Sequence, residues 1–264
     1  MDSIHVVTDG FYAEPVSSLT GLVSNGSLIS NGDVTQISKS VNDAGLIDYC
    51  TVESLDALIA NQTTSKLAIF AGGSGLVESQ KLVSGDPILN SGRHEIVFID
   101  SNVDNWQALV GDVKPGIEVV LFNGQGNGLE EIDHYLAGQS QFDAIHIISH
   151  GNQGELFLGS LDVSAANIGD YTSTLNDIGS SLVIGGDILL YGCFVGEGLD
   201  GQNFLDQIAS ATGANVAASN DLTGPTLQGG DWSLEASSGF VQTATAFDAS
   251  LIQNYQYDLG GAYT

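Results

Sequence analysis

The sequence predicts an α/β fold in three layers, a mainly parallel sheet covered by helices on both faces, preceded by a smaller α/β unit. From residue 94 onward, short apolar runs alternate with amphipathic segments. That order belongs to a parallel sheet with crossover helices. The runs are apolar throughout, as strands buried on both faces must be. Thirty-four glycines supply the tight turns between them.

Residues 95–100 (EIVFID) form the first run and end in Asp100. Residues 104–113 follow with Trp106, Leu109 and Val110 at helical spacing, and 117–123 read as the second strand. The next helix, 128–139, carries Leu129, Ile132 and Leu136 on one face. FDAIHIISHG (142–151) is the third strand, and a Gly-Ser turn divides 155–164 into a hairpin. Ser164 is placed to cap a helix over 164–182. DILLYGC (187–193) is the fourth strand, 201–213 is a helix that Gly213 can terminate, and 215–219 is the fifth strand. His150 and Cys193 thus end the third and fourth strands, at the carboxyl edge where parallel sheets collect their chemistry.

Residues 1–93 repeat the opening of this pattern more weakly. Strands are predicted at 4–10, 46–52 and 66–73, with helices at 34–45 and 53–62. Where the later unit has Ser149-His150-Gly151, the earlier has Ala71-Gly72-Gly73. The first unit is either a degenerate duplicate, slightly favoured, or an extension of one sheet. The polar stretch 84–94 marks the boundary between units 1–93 and 94–264.

Charge narrows the functional classes. Thirty-two acidic residues face five basic ones, a net charge of −27. Such a field repels nucleic acid, anionic membranes and polyanionic cofactors. No apolar run approaches the roughly 18 residues that cross a bilayer, so no membrane insertion is expected. The opening MDSIHVVTDG has neither the basic nor the apolar region of a secretory signal. Two cysteines, Cys50 and Cys193, could form at most one disulfide. Ca²⁺ would suit the acidity, although a well-solvated surface explains it equally, and no cofactor is required. The stretch 123–134 has the glycines of a calcium loop but His134 where the twelfth-position Glu belongs, and reads as a strand-to-helix turn.

An apolar strand ending in His-Gly and another ending in Gly-Cys form a specific constellation. A cysteine is a competent nucleophile because part of it is already thiolate near neutrality, and a nearby imidazole raises that fraction or protonates a leaving amine. Gly151 permits close approach, and its N–H with that of Cys193 could face a developing oxyanion. Ser149, Glu155 and Gly192 flank the two blocks as pocket or supporting residues. His146 shares the orientation of His150 on the same strand and reads as a supporting or core residue. Cys50, with no His-Gly partner, reads as structural, and His5, His94 and His134 are not spaced for a metal. From residue 115 onward there is no Lys or Arg. A pocket there cannot pair an acidic side chain and should take a basic or an apolar one.

The blocks AIHIISHGNQGELFLGS and ILLYGCFVGEG resemble the His-Gly and Cys blocks of the caspase-type (clan CD) cysteine peptidases. More narrowly, these with EIVFIDSNVDNWQALV, GANVAASNDLTG and GGDWSLE resemble DUF4347, a caspase-like domain of very large bacterial surface proteins with cadherin-like or RTX repeats. The resemblance covers about residues 94–240. It implies a caspase-haemoglobinase-like αβα sandwich with His150 and Cys193 as a dyad beside Gly151. It further implies an endopeptidase acting on a peptide or protein, its own longer chain included, at the surface of a bacterium reached without an N-terminal signal peptide. The caspase Gln-Ala-Cys-x-Gly signature is absent, since Cys193 stands in Tyr-Gly-Cys-Phe-Val. The alternative is an inactive caspase-like module serving folding, secretion or adhesion.

Overall fold

The computed structural model describes residues 79–260, together with the backbone of five strands between His5 and Thr51. Two compact units divide the chain, residues 1–75 and 76–264. In the first, β1 (His5–Thr8), β2 (Phe11–Tyr12), β3 (Gly26–Ser30), β4 (Asp33–Val41) and β5 (Ile47–Thr51) form an antiparallel sheet in the order β2-β1-β3-β4-β5. The helix expected at 34–45 is therefore strand β4. Its Val34, Thr35, Ile37 and Val41 are β-branched and favour extended backbone. Ser30 pairs with Asp33, and Asn31-Gly32 between them is the strongest short hairpin signal in a sequence. The strand expected at 66–73 and the helix at 53–62 lie outside the described residues.

The second unit holds a seven-stranded sheet in the order β15-β14-β13-β9-β7-β8-β6. Five strands at its centre are parallel: β7 (Glu95–Asp100), β8 (Glu118–Phe122), β9 (Phe142–Ile148), β13 (Leu182–Tyr191) and β14 (Asn215–Ala218). Antiparallel edges close it at β6 (Gln80–Val83), beside β8, and at β15 (Ala236–Ser238), beside β14. β6 lies ahead of the 84–94 stretch, so the sheet begins before that polar segment. In parallel-strand terms the order is 2-1-3-4-5, with the chain reversing direction across the sheet between β7 and β9.

Alternating side chains of each strand feed two cores. Ile96 and Phe98 of β7 face α2 (Gly128–Leu136), α3 (Thr172–Ser180) and α4 (Gly198–Thr212). Val97 and Ile99 face α1 (Trp106–Asp112) and the irregular segment carrying Phe247, Ile252, Tyr255 and Leu259. One outer layer is thus mostly not helical. Ser164 does not cap a helix. It ends β12 (Leu161–Ser164), which pairs with β11 (Glu155–Leu158), and a 3₁₀ turn at Ile168–Tyr171 intervenes before α3. The Asn167 side chain accepts the Ser164 N–H at 2.9 Å, a local bond that competes with an earlier helix start. Gly213 terminates α4 as expected, at φ 73°, donating its N–H to Ala209. Among the described residues no helix is long and apolar enough to cross a membrane.

Candidate active site

β9 and β13 run side by side in register, Ile148 opposite Tyr191, so His150 and Cys193 each follow two residues beyond adjacent strand tips. Ser149 is buried there and donates its N–H to the Tyr191 carbonyl at 3.1 Å. Beyond them the chain packs backbone against backbone. A Cβ on Gly151 would overlap the Val195 side chain, and one on Gly192 would stand 3.2 Å from the Gly151 nitrogen. The Glu155 carbonyl closes the other side of Gly151, at 3.1 Å from the same added atom. Directly after the cysteine, Phe194 adopts φ 63°, a left-handed conformation that a bulky residue reaches only under strain. Its N–H donates to the Asp221 carbonyl at 2.8 Å, which holds the tight turn carrying Cys193.

His150 leans toward the loop after β7. Its Nε2 lies 3.4 Å from the Asn102 carbonyl oxygen. A carbonyl can only accept, so Nε2 carries the proton in this pairing and Nδ1 is the basic nitrogen of the neutral ring. Asp100, the last residue of β7, accepts N–H groups from Asn102 at 2.8 Å and Gly159 at 2.7 Å. Burial pushes its carboxyl pKa up, against those bonds and the charge of His150.

Cys193 is wholly buried. Its Sγ accepts the Thr223 N–H at 3.2 Å, in the loop beyond β14. Burial raises the thiol pKa to about 11, with the Asp258 and Asp221 charges adding to it and the Thr223 and Leu259 backbone opposing. The thiol is therefore protonated at neutrality in this conformation. Alkylation of Cys193 by iodoacetamide, read by peptide mapping, should keep rising to about pH 11, where an ordinary thiol levels off above about pH 8.5. A plateau below pH 8 would contradict this.

The backbone supplies the most informative contact. The N–H groups of Gly151 and Cys193 both donate to one oxygen, the Leu259 carbonyl, at 3.1 and 3.3 Å. They are the two donors that the sequence nominates for an oxyanion, and they converge on a peptide carbonyl.

The remaining nominated residues separate. His146 lies on β9 four residues before His150, on the order of 13 Å along the strand. It is buried in a chain of hydrogen bonds remote from the site: the Ala246 N–H to the Tyr191 hydroxyl at 2.9 Å, that hydroxyl to His146 Nδ1 at 3.2 Å, and His146 Nε2 to Glu95 at 3.3 Å. Burial keeps His146 neutral. Asp100, Asn102, Thr223 and Leu259 were not nominated. Asp100 had a signal, an acid ending an apolar strand, whereas the others arrive through long-range packing alone.

The stretch 123–127 is the turn into α2, and the Asn127 side chain caps that helix on the Glu130 N–H. Asp221, Asp231 and Glu235 bring ligand oxygens within 4.8 Å of one another on the surface, a cluster that exposed acids commonly form without an ion. The cations of the second unit are engaged elsewhere. Lys81 pairs with Glu118 at 3.0 Å, Arg93 with Glu95, and Lys114 donates to the Thr245 carbonyl. Arg93 and Lys114 precede β7 and β8, at the edge opposite His150. Inositol hexakisphosphate, a polyanion that needs a free cluster of Lys and Arg, should therefore produce no stimulation at micromolar concentration in a peptide-cleavage assay. Stimulation would overturn this.

A family model described as a domain of unknown function (DUF4347) matches residues 96–259. No curated protein matches the chain. Among solved structures, the crystal structure of a small-chain dehydrogenase is similar at 13% identity and a TM-score of 0.23, over 45% of this chain and 70% of that one. An overlap that loose bears on neither fold nor activity.

Proposed function

The chain belongs to the DUF4347 family, and from that premise we propose that residues 76–264 carry a cysteine endopeptidase site with Cys193 as nucleophile and His150 as its base and acid. The observation that carries this reading is the convergence of the Gly151 and Cys193 N–H groups on a single peptide carbonyl oxygen. Preorganised donors of that kind stabilise a developing oxyanion and contribute roughly 3 kcal/mol each where measured by removal. Asn102 would fix the imidazole tautomer, as an orienting third group does in other nucleophile and base pairs. Hydrolysis of fluorogenic peptides, compared between wild type and Cys193→Ala, is the test. Turnover by wild type alone supports the enzyme, and equal rates remove the basis for it.

A second reading, a non-catalytic module in a larger surface protein, is favoured by one observation: the buried thiol with its raised pKa. An unreactive Cys193 in every condition would select that reading.

A further inference from the structure

We infer that the first substrate of this site is the chain's own Leu259–Gly260 bond, with Leu259 on the acyl side and Gly260 on the leaving side. The inference rests on the peptidase reading and names its substrate. Leu259 is held by backbone on both flanks. Its N–H donates to the Thr223 carbonyl at 2.9 Å, and its own carbonyl receives the Gly151 and Cys193 N–H groups. Gly260 forms a parallel bridge with Gly151. A segment paired through its main chain in this way is bound as an extended peptide is bound at a sheet edge, whatever its side chains.

The side chains supply the selection. Leu259 is completely buried in the apolar cluster that includes Tyr191, Cys193, Phe247 and Tyr255, with Trp232 packed against it. An acidic side chain there would have no partner, because the chain has no Lys or Arg after Lys114. On the leaving side, a Cβ built on Gly260 would stand 3.8 Å from the Cys193 sulfur, so the bond after Leu259 lies beside the nucleophile. Of the two pocket types that charge allows, basic or apolar, the occupant selects the apolar one.

The reaction balances without any further reagent. The Cys193 thiol gives its proton to His150 as the sulfur bonds to the Leu259 carbonyl carbon. The oxyanion is held by the two N–H groups. The bond to the Gly260 nitrogen breaks, and that nitrogen leaves as an amine carrying the proton from His150. Water, giving a proton to His150, then attacks the thioester. The Leu259 carboxylic acid departs, and His150 returns the proton to the sulfur.

Prolonged incubation of the full chain followed by intact-mass analysis tests the inference. Wild type should lose Gly260–Thr264, and Cys193→Ala should stay whole. Leu259→Asp should also stay whole, because Asp cannot be seated there. It should nevertheless hydrolyse an added peptide containing Leu-Gly, since the ejected segment frees the site. The same peptide is offered in excess to wild type, so that this arm does not depend on how well the variant folds. A wild-type chain that stays whole while either protein cleaves the added peptide overturns the cis substrate and leaves the peptidase reading standing. A whole chain and no cleavage of the peptide overturns both.

Discussion

Changing Cys193 to Ala should lower hydrolysis of a Leu-Gly peptide by at least about a thousandfold, because no acyl-enzyme can then form. His150→Ala should lose nearly as much. In the folded chain the thiol is held protonated by burial, so attack depends on a base that removes its proton as the bond forms. The two changes should not add. Once either partner is missing the other has nothing to act on, and the double variant should match the worse single one. Both proteins should still fold, with Cys193→Ala losing about 1–3 kcal/mol because the buried Thr223 N–H is left without its sulfur acceptor. kcat/KM for a fluorogenic peptide across the three variants measures this. Additive losses would mean that the two residues do not act on one step.

Glu95→Leu should be strongly damaging to stability, by about 1–3 kcal/mol, the scale seen when a buried polar group such as His146 loses its hydrogen-bond partner, with the half-exposed Arg93 left to water. Glu95 is 5% exposed and joins Arg93 to the His146–Tyr191–Ala246 chain that ties β9 and β13 to the outer segment. Burial raises its pKa, but the hydrogen bonds from His146 and Arg93 outweigh that and hold it at about 2. A carboxyl depressed in the fold contributes stability above its unfolded pKa, near 4.5. That contribution fades as pH falls from there toward 2. Urea unfolding should therefore show wild type losing stability over that interval, with Glu95→Leu losing less. Lys81→Ala, which breaks a pair whose lysine is half exposed, should cost under about 1 kcal/mol. Equal costs for the two variants would contradict the buried network.

The later unit was legible because its strands are long, apolar and regularly spaced. Each of the five parallel strands lies within a residue or a few of its expected place, with β13 starting earlier, at Leu182. What periodicity could not register was pairing at a distance. β6 and β15 are short edge strands with mixed burial, QKLV and ASS, that only their neighbours define. The helix expected at 34–45 failed for a local reason, since Val34, Thr35, Ile37 and Val41 outweigh a loose helical spacing. At the site, His150, Gly151 and Cys193 were readable from strand-end chemistry. Thr223 and Leu259 were not, because they contribute backbone atoms that any residue carries. His146, which the sequence offers as a supporting or core residue, lies in the core: sharing a strand face with His150 still leaves it four residues down the strand, among buried partners.

Covalent capture tests the central claim most directly. A peptidyl acyloxymethyl ketone with Leu next to the reactive carbon is incubated with the full chain, and the modified cysteine is located by peptide mapping. The account predicts an adduct on Cys193 and none on Cys50, formed at least tenfold more slowly in His150→Ala and not formed when Asp replaces Leu in the reagent. An unmodified Cys193, or one labelled equally fast in wild type and His150→Ala, would contradict it.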